Sequence, residues 1–194
     1  DTVVAEHNVE AFADEESLVV RHTVRLENTG PLVINLGALP GGGLMIPCPE
    51  GAKHPELHDE HDKRVEVRGT TLVYKGALLP AGSAPANVSF VYTIPYTSDR
   101  FAWSQTLDVK TAGAMVVVPR HRQRQQRSAI PLRIVTRGDT AGVSQIEQTG
   151  GRIWEVLRTR PERPLAAGEA FAFEITGLPA AGSTPIYLLG FALL

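Results

Sequence analysis

Histidines and acidic side chains are concentrated in one short segment of this chain. The run His54-Pro-Glu-Leu-His58-Asp-Glu-His61-Asp62 contains three imidazoles and four carboxylates. Imidazole and carboxylate groups together suit Zn²⁺, Cu²⁺ or Ni²⁺. The segment therefore suggests a metal site formed by His54, His58 and His61, either structural or part of a metal-dependent hydrolase. Because the spacing differs from the His-Glu-x-x-His of zinc peptidases, a solvated polar excursion between strands is the other interpretation.

The same segment has the strongest helical character in the sequence. Pro55 suits the first position of a helix, Glu56 suits its positive end, and Lys63 suits its negative end. On such a helix His58 and His61 would share one face. The sequence therefore predicts a short helix from Pro55 to Lys63.

Arginines are concentrated in a second segment, Arg120 to Arg127, which precedes Pro131. Arg120, Arg122, Arg124 and Arg127 lie within eight residues. The planar guanidinium suits carboxylates and phosphates, so an acidic protein partner, an anionic lipid headgroup or an acidic polysaccharide could bind here. A nucleic-acid partner is not expected, because 19 basic residues face 21 acidic ones and no aromatic side chains are interleaved. A solvated hairpin loop is the alternative interpretation.

Signatures of enzymes and cofactors are missing from the sequence. There is no Gly-x-Ser-x-Gly nucleophile motif, and the glycine run that begins at Gly37 lacks the Gly-Lys-Ser/Thr ending of a phosphate loop. The single cysteine, Cys48, lies between two prolines without a nearby cation, which predicts an inert, partly buried thiol. We therefore expect a protein that is not an enzyme and has no cofactor.

Alternation of apolar and polar residues is the main structural signal. It extends from Ser17 to Glu27, where His22 lies on the apolar face and is expected to be a hydrogen-bonded core histidine. Similar alternation occurs in residues 88–94, 101–109 and 171–175. With 18 Gly and 14 Pro bounding short runs, the pattern predicts an all-β fold. We expect an antiparallel β-sandwich of about ten strands, with less than about a tenth of the residues in helix.

A repeated pattern suggests two modules. Leu79-Pro80-Ala81-Gly82 and Leu165-Ala166-Ala167-Gly168 each precede an aromatic, alternating strand. Their separation is about one immunoglobulin-like unit. The sequence therefore predicts tandem immunoglobulin-like modules at residues 1–96 and 97–179. Residues 180–194 are uncharged, which suits either a final strand or a truncated membrane anchor.

Several short elements resemble a group of bacterial envelope proteins. The elements are Leu44-Met45-Ile46-Pro47-Cys48-Pro49-Glu50-Gly51-Ala52, Leu79-Pro80-Ala81-Gly82 with the strand that ends in Tyr92-Thr93-Ile94-Pro95, and Gly177-Leu178-Pro179. In those proteins a β-sandwich region with an Ile-Pro-x-Pro-x-Gly-Ala element and a Tyr-x-Ile-Pro strand precedes a C-terminal membrane segment. The resemblance implies an extracytoplasmic, non-enzymatic domain with a nearby membrane anchor, and it implies no site residues.

These observations predict a structural or adhesive domain that acts through protein–protein contacts. The arginine segment and the histidine segment carry opposite charge, so copies of the chain could also assemble head to tail. The uncharged tail at residues 186–194 could add a strand to a neighbour. The alternative function is metal binding or metal-dependent hydrolysis at the histidine segment.

Overall fold

The described residues fold mainly into β-strands. A computed structural model describes residues 3–14, 16–59, 62–106, 108–120, 131–136, 142, 144–160 and 162–179. Within these ranges there is no α-helix, and a single 3-10 turn spans Leu36–Ala38. The strands are, in order, β1 (Val3–Ala13), β2 (Ser17–Asn28), β3 (Ile34–Asn35), β4 (Leu44–Pro47), β5 (Lys53–Leu57), β6 (Val65–Arg68), β7 (Thr71–Tyr74), β8 (Ala77–Leu78), β9 (Ala86–Pro95), β10 (Arg100–Thr106), β11 (Lys110–Pro119), β12 (Arg133–Thr136), β13 (Gln145–Thr149), β14 (Arg152–Arg158) and β15 (Ala170–Thr176).

The strands form one large sheet and three small ones. The large sheet has the order β13-β14-β11-β1-β2-β9-β5, and the small sheets are β10-β15-β12, β4-β7-β6 and β3-β8. Neighbouring strands are antiparallel except for β1 and β11, which run parallel with Glu10 opposite Val117. The prediction of an all-β sandwich is confirmed, with one parallel pair that the sequence did not indicate.

The large sheet combines strands from both halves of the chain. Strand β1 pairs with β2 along one edge and with β11 along the other. Segments before and after residue 97 therefore hydrogen-bond within the same sheet. For this reason the topology does not confirm tandem immunoglobulin-like modules at residues 1–96 and 97–179. The predicted tail, residues 180–194, lies outside the described residues.

The predicted helix from Pro55 to Lys63 is wrong over its described part. Lys53–Leu57 is strand β5, and it lies against β9 with Leu57 opposite Phe90. Pro55 and Glu56 suit a helix start, but main-chain groups along the edge of β9 offer hydrogen bonds that a separate helix could not use. Tertiary pairing therefore overrides the local preference here.

Aromatic rings connect the large sheet to the sheet β10-β15-β12. The ring centroid of Tyr92 on β9 lies 6.2 Å from that of Trp103 on β10. Trp103 in turn stacks on Phe173 of β15, with centroids 5.1 Å apart and planes inclined by 20°. All three side chains are at most 1% exposed, so the core lies between these two layers.

Replacing Trp103 tests how much this contact stabilises the fold. We expect Trp103→Ala to lower the free energy of unfolding by about 3–5 kcal/mol, because it opens a cavity between the layers. Trp103→Phe keeps a ring against Phe173 and removes an indole N–H that no described residue accepts, so it should cost clearly less than Trp103→Ala. Urea unfolding measures both, and equal losses in the two variants would contradict this assignment.

Candidate functional site

The predicted metal ligands do not form a cluster in the described part of their segment. His54 and His58 are both exposed, and His54 has a left-handed backbone (φ 51°) where the pairing of β5 with β9 shifts register. Two hydrogen bonds of 2.8 Å from Arg64 occupy the carboxylate of Asp62 and lower its pKa. His61 lies outside the described residues. Within the described ranges no three His, Cys, Asp or Glu side chains are arranged to hold a metal, so the metal site stays a prediction.

Arg120 is the member of the arginine segment that the structure describes. Its guanidinium Nη1 lies 3.8 Å from Oε2 of Glu155, and the two side chains are 18% and 8% exposed. The other oxygen of Glu155 accepts a hydrogen bond from the Ser144 hydroxyl at 3.1 Å. Arg120 therefore belongs to a largely buried ion pair between β11 and β14. Outside the described residues lie the other three arginines of the predicted partner contact, Arg122, Arg124 and Arg127, and that contact stays a prediction.

Two imidazoles are buried side by side in the core. His7 of β1 and His22 of β2 are 7% and 0% exposed, and Nδ1 of His7 lies 2.8 Å from Nε2 of His22. On its other side Nδ1 of His22 lies 3.4 Å from the Tyr92 hydroxyl, which is a long hydrogen bond. The expectation that His22 is a hydrogen-bonded core histidine is confirmed.

Burial keeps both imidazoles neutral. Desolvation lowers the pKa of His7 to about 4. Desolvation also lowers the pKa of His22 well below its ordinary value of 6.5, and the neighbouring His7 adds to that effect. Because both pKa values lie below 7, the pair is uncharged at neutral pH and acts as a structural unit of the core.

A groove of about 430 Å³ crosses the outer face of the large sheet. It is open where Gly113 of β11 lies opposite Glu6 of β1, because glycine contributes no side chain there. Arg25 donates a 2.9 Å hydrogen bond to Glu6, and Arg158 pairs with Glu147. These arginines are already matched by carboxylates, so the groove offers volume without a charge that would select a ligand.

An exposed apolar surface lies where two loops meet beyond the end of β2. Leu32, Val33 and Leu79 are 76%, 56% and 53% exposed, and we refer to them as the apolar loop surface. The loop after β2 is held beside the loop after β8 by the pairing of β3 with β8. The N–H of Ala81 also donates a 2.8 Å hydrogen bond to the carbonyl oxygen of Gly30. The two loops therefore present one continuous surface.

Asn28, at the end of β2, fixes the first of these loops from inside the protein. Its side chain is 2% exposed. Its amide Nδ2 donates to the carbonyl oxygen of Leu32 at 2.6 Å, and its Oδ1 accepts the N–H of Gly30 at 2.8 Å. These two bonds close the loop into an Asx turn, so that exposed leucine and valine are held in a defined conformation.

The two segments that form the apolar loop surface also stand out in composition, because they lack charged residues. Residues 28–49 and 76–98 contain no Asp, Glu, Lys, Arg or His, although 21% of the chain is charged. The pairing of β3 with β8 brings these two runs together. Contiguous exposed apolar side chains mark contact sites more often than scattered ones do. This surface is therefore the strongest candidate site among the described residues.

Comparisons with known proteins give no family for the chain. No family model and no curated protein matches it. Among solved structures, an M1 zinc metallopeptidase from Deinococcus radiodurans matches with 10% identity and a TM-score of 0.43. That match covers 91% of this chain and 42% of the other, so the chain spans less than half the length of the peptidase.

A second solved structure that matches the chain is a mu-homology domain and not a peptidase. The yeast delta-COP-I mu-homology domain, complexed with a Dsl1 WxWxV peptide, matches with 9% identity and a TM-score of 0.25. The match covers 92% of this chain and 76% of the other. With TM-scores below 0.5, neither likeness identifies a fold or a function for this chain.

In the described ranges no helix has the length and apolar character needed to cross a bilayer.

The buried histidine pair predicts acid-sensitive stability. The ordinary pKa of an imidazole is 6.5, whereas burial lowers the pKa of His7 to about 4 in the folded protein. Stability should therefore be complete above pH 6.5 and fall as the pH drops from 6.5 towards 4, by about 1.4 kcal/mol per pH unit for His7, and the lowered pKa of His22 acts in the same direction. Urea unfolding between pH 7.5 and 4.5 measures this slope. The double variant His7→Phe, His22→Phe should flatten it, whereas His58→Gln, at an exposed site, should leave it unchanged. An unchanged slope in the double variant would contradict the assignment.

Cys48 should react slowly with thiol reagents in the folded protein. Burial raises the pKa of its thiol to about 12 from an ordinary 9.0. The thiolate fraction at pH 8 is then about a thousandfold lower than that of an exposed cysteine. Reaction with Ellman's reagent should be slow in buffer and rapid in urea, with Cys48→Ser as the blank. Fast reaction of the native protein would show that the thiol is accessible.

Proposed function

We propose that this chain is a non-enzymatic structural or adhesive domain that acts through protein–protein contacts. The contact is made by the apolar loop surface, and the partner is a second copy of the chain. An extracytoplasmic location near a membrane anchor belongs to the same proposal and is supported by the resemblance to bacterial envelope proteins.

The observation that carries this proposal is that an exposed apolar loop is held in one conformation by hydrogen bonds. Leu32 and Val33 are more than half exposed, yet Asn28 anchors the loop through a buried side chain. Ordering a loop on binding costs conformational entropy, and a loop that is already ordered avoids that cost. An apolar loop that is already ordered is therefore suited to binding another protein, in addition to linking two strands.

A second copy fits the charge pattern of this surface. In a two-fold contact the same patch lies opposite itself, so an unbalanced charge within it would be repelled by the same charge on the second copy. The two runs that form the surface contain no Asp, Glu, Lys, Arg or His, which removes that repulsion. Burial of leucine side chains would then supply the stabilisation, at about 1.5–3 kcal/mol for each side chain.

Variants of the apolar loop surface test the proposal by self-association. We expect the mass of the intact chain to rise with concentration in light scattering or sedimentation. Leu32→Ser with Leu79→Ser should weaken association by at least about tenfold, because the apolar area buried in the contact is lost. The matched control is Ile146→Ser, which replaces a side chain that is 63% exposed on β13, away from the loops.

Salt separates this contact from one made by charged segments. Added salt screens exposed charges within about 8 Å at 0.15 M, so contacts between the arginine and histidine segments should dissociate at high salt. An apolar contact should persist or strengthen under the same conditions. A monomer at every concentration would refute self-contact. So would association that is lost in high salt and unaffected by Leu32→Ser with Leu79→Ser.

A further inference from the structure

A small cavity lies between the two main layers, beside the buried histidine pair. The volume available to the centre of a water molecule inside it is about 10 Å³. This volume is close to the minimum that holds one water molecule. Side chains from the large sheet, from β10, from β15 and from the segment before β15 surround it. The lining residues are His7, Gln105, Thr111, Leu165, Glu169 and Phe171.

His7 brings an unsatisfied polar atom to this cavity. The side chain is more than nine-tenths buried, and its Nδ1 is engaged with His22 at 2.8 Å. No described residue hydrogen-bonds its Nε2. Buried polar groups in folded proteins nearly always have a partner, either in the protein or as an ordered water molecule. His7 lines this cavity, so a partner held there lies beside its imidazole ring.

We propose that this cavity binds one ordered water molecule, which hydrogen-bonds to Nε2 of His7. The water ends a hydrogen-bonded chain that runs from the Tyr92 hydroxyl through His22 and His7. Each neutral imidazole has one N–H donor and one acceptor nitrogen, so the whole chain points in one direction or the other. Water can donate or accept, and it satisfies Nε2 in both arrangements. This site is independent of the proposed protein contact.

Size and donor chemistry favour water over other ligands. The cavity is too small for an organic molecule. A transition metal would need several nitrogen, sulfur or carboxylate ligands, and the described residues contain no group of three or more that could hold one. The carboxylate of Glu169 already accepts the N–H of Ala166 at 3.0 Å. A single imidazole beside amide and hydroxyl side chains is a setting typical of buried water.

A crystal structure of the whole chain at about 1.5 Å resolution or better tests this site directly. We expect density for one water molecule at about 3 Å from Nε2 of His7, inside the cavity. Two matched variants separate the role of His7 from that of the cavity alone. His7→Phe removes the partner atom and should expel the water, whereas His22→Phe leaves Nε2 in place and should retain it.

Several results would overturn the proposal. They are a cavity without water density in the wild-type crystal, a protein side chain bonded to Nε2, and retention of the water in His7→Phe. Crystals soaked in zinc chloride should keep water at this position, and a metal ion there would likewise refute it. If a variant does not fold, the wild-type density decides. In solution, nuclear Overhauser effects between a long-lived water and the His7 ring should be present, and their absence would contradict the site.

Discussion

Backbone pairing along both edges of β1 is the constraint on which this fold depends. The strand is antiparallel to β2 and parallel to β11, so it joins segments that are far apart in the chain. Its inward side chains are small at Ala5, Ala11 and Ala13, which leaves room between the layers for large rings such as Trp103. Loss of β1 would separate β2, β9 and β5 from β11, β14 and β13.

Two pairs of buried polar side chains join different strands of the large sheet. His7 on β1 meets His22 on β2, and Arg120 after β11 meets Glu155 on β14. Such groups stabilise the native arrangement only when their partners are in place, because an unpaired buried polar group is costly. They therefore favour one register of the large sheet over its alternatives. The neutral histidine pair does so without a buried charge.

The candidate contact surface depends on the same sheet without being part of it. Asn28 is the last residue of β2, and its buried side chain holds the loop that presents Leu32 and Val33. The strands thus provide rigidity, and the loops beyond them carry exposed apolar side chains. Recognition sites on β-sandwiches commonly have this division between a rigid scaffold and its loops. Here the loops carry no ionisable side chain, so any contact relies on apolar burial and shape.

The sequence by itself determined the fold class and the strongest strands. Alternation over Ser17–Glu27 and residues 88–94 identified β2 and β9, because most of their inward residues are apolar. It did not identify β1, where alanines and His7 occupy the inward positions and weaken the alternation. The sequence analysis also assigned Pro55 to a helix. The helix preference of neighbouring residues contains no information about the edge of β9 with which this segment pairs.

Tertiary structure decided which distant residues meet. The pairing of His7 with His22, of Arg120 with Glu155, and of the two uncharged runs at β3 and β8 all depend on strand order. Strand order follows from the burial of whole faces and from main-chain pairing between remote segments. No short window of sequence contains that information. Composition could indicate that residues 28–49 and 76–98 lack charge. Only the fold places them side by side, with Leu32, Val33 and Leu79 facing solvent.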